Sequence, residues 1–488
     1  MAGSSLKGKT IRGVAWNSVN TVGNLCIHFV VSILLARMLM PDDYGAVAMV
    51  GVFTSVLQIF TDGGLTAAII RTEDRTEEDK CTIFYYNFVA CYIIYGVIFL
   101  IAPFIASFYH MPILCKLARV SSLGMLISPL ASMQGVHFTI NLDFKTPAMI
   151  SIVCTAVTAA LSLWMAYHGF GVWALAVPGV FTTVLRVALL IGIVRWRPTK
   201  GFSMTAFRQL FGYSSKLLAS QLLNKAYNNI TPLIVGRFFS PAQLGIYERA
   251  KGWPALPSQT FTGVLQGVTF PVLSKMQDDI SRMRRNYRRM LKLSAYLVFP
   301  MMVGLASLAR PLTVVLITEK WIASVPLMQL ICFSMMWYPI HAINLNLLTV
   351  TGRSDYFLRL EIIKKVWGLA VMFCSLPFGL TAFCAAGIVS SYVCLFINTY
   401  YTKKIIDLGV WQQMKDLLPV LANSMAMGLV SLAVQMPFDN NGAKIAVAIP
   451  AAIIYYIATT RYLQTEEYNE MIGIIGAKVP IFNRLKRL

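Results

Sequence analysis

Amide, imidazole and charged side chains recur at helical spacing inside apolar stretches of this chain. Gln221, Asn224, Lys225 and Asn228 stand at i, i+3, i+4 and i+7 within LLASQLLNKAYNNITPLIVGRFFSPAQLG (217–245), so all four project from one helix face. Asn17, Asn20, Thr21, Asn24 and His28 make a second polar face near the start of the chain. Isolated charges interrupt other apolar runs: Asp62, Arg186 and the group Glu248, Arg249, Lys251. Inside a membrane such a charge costs roughly 2.5–3.5 kcal/mol on insertion scales, which makes each a candidate site. Guanidinium and ammonium groups can neutralise anions, and amides can bond hydroxyls. A single membrane asparagine has a plainer use, helix–helix hydrogen bonding, worth about 0.6 kcal/mol per pair. Lys216 and Arg119 sit nearer the ends of their apolar runs, where snorkelling to the interface accounts for them equally well.

The elements that must hold these side chains are membrane helices. The 488 residues are 57% hydrophobic and 13% charged, too apolar for a soluble globular protein. About fourteen spans long enough to cross roughly 30 Å of hydrocarbon follow from length and flanks. They run roughly over 14–39, 44–69, 82–108, 114–140, 146–168, 172–195, 209–238, 243–272, 290–317, 324–350, 357–377, 381–402, 416–436 and 443–463. The expected class is an all-α integral membrane protein. Alternate short loops carry about 30 of the 42 Lys and Arg residues, which predicts cytoplasmic termini under the positive-inside rule. The net charge of +21 is therefore topogenic, and no basic soluble domain remains to bind nucleic acid. Two basic segments, 274–292 and the tail 464–488, have the pattern of amphipathic helices on anionic headgroups, or of simple positive-inside anchors.

The polar face occurs twice. At a shift of about 200, Thr21 falls on Gln221, Asn24 on Asn224, His28 on Asn228, Arg37 on Arg237, Pro41 on Pro241 and Gly45 on Gly245. Further on, Gly96 and Pro103 match Gly304 and Pro311, Pro129 matches Pro339, and Gly169 matches Gly379, the shift drifting to about 210. Six spans per copy is an even number, so both copies insert in the same sense, related by an axis along the membrane normal. The expected organisation is an N-lobe over 1–200, a C-lobe over 201–410, two added spans over 411–463 and a cytoplasmic amphipathic tail over 464–488. Two matched polar stripes facing such an axis read as the lining of a pathway. Lys225, where the first copy has Leu25, gives that lining a positive charge.

No catalytic constellation is present: no GxSxG, no phosphate-binding glycine loop and no paired carboxylates at helical spacing on the outer side. The nine cysteines form neither CxxC nor a Cys/His ligand set, so no metal site or cofactor is expected.

Four stretches carry a family likeness: ARMLMPDDYGAVAM (36–49), TDGGLTAAIIR (61–71), GRFFSPAQLGIYERA (236–250) and VTFPVLSKMQ (268–277). With them the chain resembles the Wzx-type polysaccharide exporters, oligosaccharide-lipid flippases of the MATE/MurJ (MOP) superfamily, and most of all the colanic acid exporter branch. The likeness runs from about residue 6 to 462, and its motifs name no substrate. It implies two six-helix lobes with a cationic central cavity. The implied activity is flipping of polyprenyl-diphosphate-linked oligosaccharide from the cytoplasmic to the periplasmic leaflet of a bacterial inner membrane. Arg37, Asp62, Gly64, Arg237, Gly245, Arg249 and Pro271 stand at motif positions. On this reading Asn24, His28, Arg186, Gln221, Asn224, Lys225, Asn228, Arg249 and Lys251 line the cavity. Asp62 or Glu248 is the candidate carrier of a coupling H+ or Na+. The implied partners are the lipid-linked oligosaccharide, membrane lipids and the polysaccharide polymerase machinery. The competing readings are a MATE-like multidrug or cation antiporter, which favours an acidic cavity, and a membrane-embedded glycosyl transferase or ligase, which needs acidic residues in a sizeable outer loop.

Overall fold

The computed structural model describes residues 2–62, 65–72, 75–463 and 465–469, without the side chains of 2–11 and of scattered further positions that include Asp62 and Lys216. Among the described residues the fold is helical throughout, with no strand. The first part of the chain forms α1 (Ala2–Met38), α2 (Pro41–Asp62), α3 (Leu65–Arg71), α4 (Glu77–Phe108), α5 (Ile113–Ser121), α6 (Gly124–Ile127), α7 (Pro129–Ile140), α8 (Lys145–Tyr167), α9 (Trp173–Val194) and α10 (Met204–Phe238). There follow α11 (Pro241–Ser274), α12 (Ile280–Ser307), α13 (Ala309–Ile317), α14 (Ser324–Met335), α15 (Tyr338–Val350), α16 (Ser354–Ser375), α17 (Gly379–Ile406), α18 (Val410–Gln435) and α19 (Asn441–Tyr462).

Nine helical stretches among the described residues are long and apolar enough to cross a membrane, or ten when the bent pair 113–127 and 129–140 counts as one span. Helices α10 and α11 are not among them, because their amides and charges lower the mean hydropathy. These are the helices with the polar stripe and the Glu248, Arg249, Lys251 group. Likewise α14 and α15 are each too short alone, since the span breaks between them.

The backbone repeats along with the sequence. Left-handed φ angles occur at His110 and Thr318, at Leu142 and Gly352, and at Gly169 and Gly379, pairs separated by the same 208–210 positions as the matched prolines. Pro129 starts α7 after a 50° bend, and Pro339 opens α15 after the break that follows α14. Proline at the first helical turn forgoes only an amide that would have no partner there. The same residue therefore restarts the span in both copies.

The repeated Pro-x-x-x-Gly starts of α2 and α11 are built alike and touch each other. The Met40 amide donates to Asp43 Oδ2 at 3.0 Å, and the Ser240 amide to Gln243 Oε1 at 3.1 Å, so each helix start is closed by the third residue of its first turn. A Cβ built on Gly45 would overlap the carbonyl oxygen of Pro241, and one on Gly245 the carbonyl oxygen of Pro41. Backbone meets backbone in both directions, a contact that only glycine permits.

The chain forms two compact units, Met1–Glu248 and Arg249–Leu488, divided within α11. In the first, α1 packs along α8, and α10 packs against α2, α3 and α4. In the second, α12 packs along α18 and against α14 and α15. The basic segment 274–292 is not a separate helix lying on a surface. From Ile280 it is the first part of the continuous α12, and its apolar face, Met283, Tyr287 and Leu291, is buried in protein. Tyr287 donates to Asn344 Oδ1 at 2.8 Å, and Thr402 donates to the same oxygen at 2.7 Å. Of the tail 464–488, only 465–469 is described.

Candidate functional site

A polar cavity of about 340 Å3 opens in the first unit around Arg186. Helix α1 contributes Asn17 and Asn20, α3 contributes Thr66, and α7 contributes Ser132, Gly135 and Thr139. The last three stand at i, i+3 and i+7, one face of α7. Arg186 enters from α9, eight residues before its end, or roughly 12 Å along the axis. The side chain is exposed, and among the described residues it makes no hydrogen bond or ion pair. Its five donors are thus available to a ligand in a cavity whose wall mixes amides and hydroxyls with apolar side chains such as Ile70, Phe138 and Leu190.

The carboxylate in the cavity wall does not neutralise the guanidinium. Asp143 lies in the loop before α8 and accepts from the Lys145 amide at 3.1 Å, the Thr146 amide at 3.2 Å and the Thr146 hydroxyl at 2.7 Å. Partial burial pushes its pKa up, but the Thr146 and Lys145 hydrogen bonds outweigh that and hold it below the usual carboxylate value. This carboxylate therefore belongs to the start of α8. Asp143→Ala is expected to cost about 1 kcal/mol of stability, as loss of a helix-start acceptor does. Because the folded pKa is depressed, the charge-dependent part of that loss is complete above the unfolded value of 3.8. It disappears as pH falls through the folded value. Thermal unfolding of both proteins in detergent at neutral and acid pH checks this.

Asn24 sits one turn beyond Asn20 and is drawn into helix packing. Its Nδ2 donates to Asn20 Oδ1 at 2.7 Å and to Ser151 Oγ at 3.1 Å, and the Thr155 hydroxyl donates to its Oδ1. Ser151 and Thr155 stand at i and i+4 on α8, so Asn24 joins α1 to α8 while Asn17 and Asn20 reach the cavity. His28, one turn further along α1, is exposed.

The second stripe is presented outward. Gln221, Asn224, Lys225 and Asn228 are all exposed on α10. Neighbouring positions Ala226, Asn229, Ile230 and Leu233 instead line an apolar cavity of about 590 Å3 shared with α2 and α4, and Ser55 of α2 donates to Asn229 Oδ1 at 3.1 Å. At 100° per residue the stripe lies on the far side of α10 from that contact. Lys225 makes no side-chain hydrogen bond or ion pair among the described residues. Glu248, Arg249 and Lys251 are half-buried on α11. The Arg249 guanidinium lies 5.8 Å from the Trp253 ring and 5.9 Å from the Trp321 ring, within the range of cation–π attraction. Asp62 ends α2, and its side chain, like Gly64 as a whole, lies outside the described residues. Of the residues singled out in the sequence, the structure thus brings Arg186 together with Asn17 and Asn20. It does not place Lys225, Arg249 or Lys251 in that cavity wall. Ser132 and Thr139 were not singled out, although their spacing with Gly135 was the available signal.

Residues 34–326 match the family described as polysaccharide biosynthesis protein, Polysacc_synt_3. The match takes in both Pro-x-x-x-Gly helix starts, Arg186 and the Lys225 stripe. The chain belongs to this polysaccharide biosynthesis protein family. It is 23% identical over 470 residues to the teichuronic acid biosynthesis protein TuaB of Bacillus subtilis, across 93% of this chain and 95% of that one. With the succinoglycan biosynthesis transport protein ExoT of Rhizobium meliloti it shares 26% identity over 336 residues, 68% of this chain and 67% of the relative. Its fold is similar to that of the lipid II flippase MurJ in an inward closed conformation, with a TM-score of 0.71 at 16% identity over 93% of this chain and all of the other. The resemblance carried by ARMLMPDDYGAVAM and its companion motifs, to proteins of polysaccharide biosynthesis and transport, is borne out. So is the all-α membrane fold.

Proposed function

We propose that this family member is a transporter. Its cargo is a polyprenyl-diphosphate-linked oligosaccharide, the repeat unit of an O-antigen, capsule or exopolysaccharide. It carries this cargo from the cytoplasmic to the periplasmic leaflet by alternating access. The observation that carries the reading is Arg186: a guanidinium with no hydrogen-bond or ion-pair partner among the described residues, in a cavity whose wall presents amides and hydroxyls beside apolar side chains. Holding an uncompensated diphosphate away from water costs several kcal/mol per charge, and bidentate bonding to a guanidinium offsets that cost. Asn17, Asn20, Ser132 and Thr139 supply the complementary groups for sugar hydroxyls. Lys225, exposed in mid-helix with Gln221, Asn224 and Asn228, is placed for a water-filled pathway, since a lipid-facing lysine at that depth is strongly disfavoured. Arg249, Lys251 and His28 are further candidate contacts for the cargo. The names of the relatives, polysaccharide biosynthesis and transport proteins, agree with a saccharide cargo.

In this reading fourteen spans form an N-lobe over 1–200, a C-lobe over 201–410 and an added pair over 411–463. The protein lies in a bacterial inner membrane with both termini cytoplasmic, beside the polymerase machinery that consumes its product. It is not an enzyme, and Asp62 or Glu248 carries the coupling H+ or Na+. Removing the protein from its host tests the reading. Lipid-linked oligosaccharide of unchanged length is expected to accumulate on the cytoplasmic leaflet. Accumulation of shortened oligosaccharide would point to a transferase instead.

A further inference from the structure

The apolar cavity of about 590 Å3 in the first unit shares no lining residue with the cavity of Arg186. Helix α2 walls it with Phe53 and Val56, α4 with Ile101 and Phe104, and α10 with Ile230 and Leu233. On each helix these positions stand three residues apart, so each helix turns one face inward. The polar side chain in the wall, Asn229, is already satisfied. Its Oδ1 accepts from the Ser55 hydroxyl at 3.1 Å, and its Nδ2 donates to the Lys225 carbonyl at 2.8 Å. Such a lining offers little to a sugar or a free ion, which would lose hydration for no new bonds. It suits a hydrocarbon chain.

The cavity is reached from the bilayer. Helices α2 and α4 are both long and apolar enough to cross a membrane. Ile101 and Phe104 line the cavity and are also exposed on α4, so its mouth lies on a surface that faces lipid.

One end of the cavity carries a charge. Arg237 stands one turn beyond Leu233 on the same face of α10, and Phe108 stands one turn beyond Phe104 on α4. The Arg237 guanidinium lies 5.4 Å from the centre of the Phe108 ring, so two of the cavity's walls close on a cation. Phe108 is the last residue of the α4 span, which puts the guanidinium where hydrocarbon gives way to headgroups. Arg237 is exposed and makes no hydrogen bond or ion pair among the described residues. Attraction to a ring face commits none of its five N–H donors to an acceptor.

We infer that this cavity seats one acyl chain of an anionic phospholipid, with the lipid's phosphate bound by Arg237. The apolar slot and the cation at its headgroup end match the two parts of that molecule. The site is separate from the Arg186 cavity and stands whether or not the chain flips oligosaccharide. The test measures binding, not transport. Full-length protein in a neutral detergent is titrated with dioctanoyl phosphatidylglycerol and, in parallel, with dioctanoyl phosphatidylcholine. Wild type is expected to bind the anionic lipid about fivefold more tightly. R237Q brings the two affinities together, and R237K, which keeps the charge, retains the preference. L233W fills the slot and weakens both lipids by about tenfold while their ratio persists, a result that loss of charge alone would not give. An unchanged preference in R237Q, no preference in R237K, or wild-type binding by L233W overturns the site. Displacement of the lipid by inorganic phosphate at equal concentration overturns the part given to the acyl chain. Tighter binding of a polyprenyl phosphate than of phosphatidylglycerol overturns the choice of a phospholipid.

Discussion

Arg186→Ala is expected to lower the rate of oligosaccharide-lipid flipping by about 10- to 100-fold with little change in stability. The size follows from the worth of one hydrogen-bonded charge, about 1.5–3 kcal/mol. Stability is spared because Arg186 makes no hydrogen bond or ion pair with the described protein, so its removal strands no buried partner. Arg186→Lys keeps the charge and loses the planar fork, and an intermediate rate is expected. Asn24→Ala should separate the two roles found on α1. It loses the bonds to Ser151 and Thr155, so it lowers the unfolding temperature more than the flipping rate. The measurements are initial flipping rates in proteoliposomes beside thermal unfolding in detergent. A full rate in Arg186→Ala would remove Arg186 from the pathway.

Gly45→Val is expected to be the most damaging single substitution to the fold. Its new side chain would meet the Pro241 carbonyl, and main chain has no rotamer by which to withdraw. Overpacking usually costs about 1–3 kcal/mol, and this backbone contact belongs at the top of that range. Gly245→Val strikes the reciprocal contact at Pro41. The two substitutions should therefore be strongly non-additive, because the first already separates the helix starts. Folded yield from monodisperse size-exclusion peaks, compared for both singles and the double, reads this out. Additive losses would mean that the two glycines act in separate contacts.

The repeat was legible because its markers are residues with few substitutes. Gly45 and Gly245 are fixed by backbone contact, Pro129 and Pro339 by the restart of a broken span, and Gly169 and Gly379 by a left-handed φ. The matching left-handed turns at His110 and Thr318 were not legible, since neither residue type announces that conformation. Arg186 could be singled out as a lone charge in an apolar run. Its cavity could not, because Asn17, Thr66, Ser132 and Thr139 come from three different helices and only tertiary packing joins them. The same holds for Tyr287, Asn344 and Thr402, ordinary polar residues until α12, α15 and α17 are brought together. The arginines of 282–289 show the opposite limit. Their composition suits a helix lying on headgroups, yet burial of Met283, Tyr287 and Leu291 makes them the end of a span.

We propose transport of a diphosphate-linked saccharide between leaflets along a cationic pathway. Its most direct measurement uses proteoliposomes holding the purified protein and the host's own lipid-linked oligosaccharide. A membrane-impermeant enzyme degrades whatever sugar stands on the outer leaflet. Wild-type protein is predicted to expose nearly all of the oligosaccharide with time, Arg186→Ala and Lys225→Ala only slowly, and protein-free vesicles about half. Equal protection with and without wild-type protein would exclude transport of this cargo between leaflets.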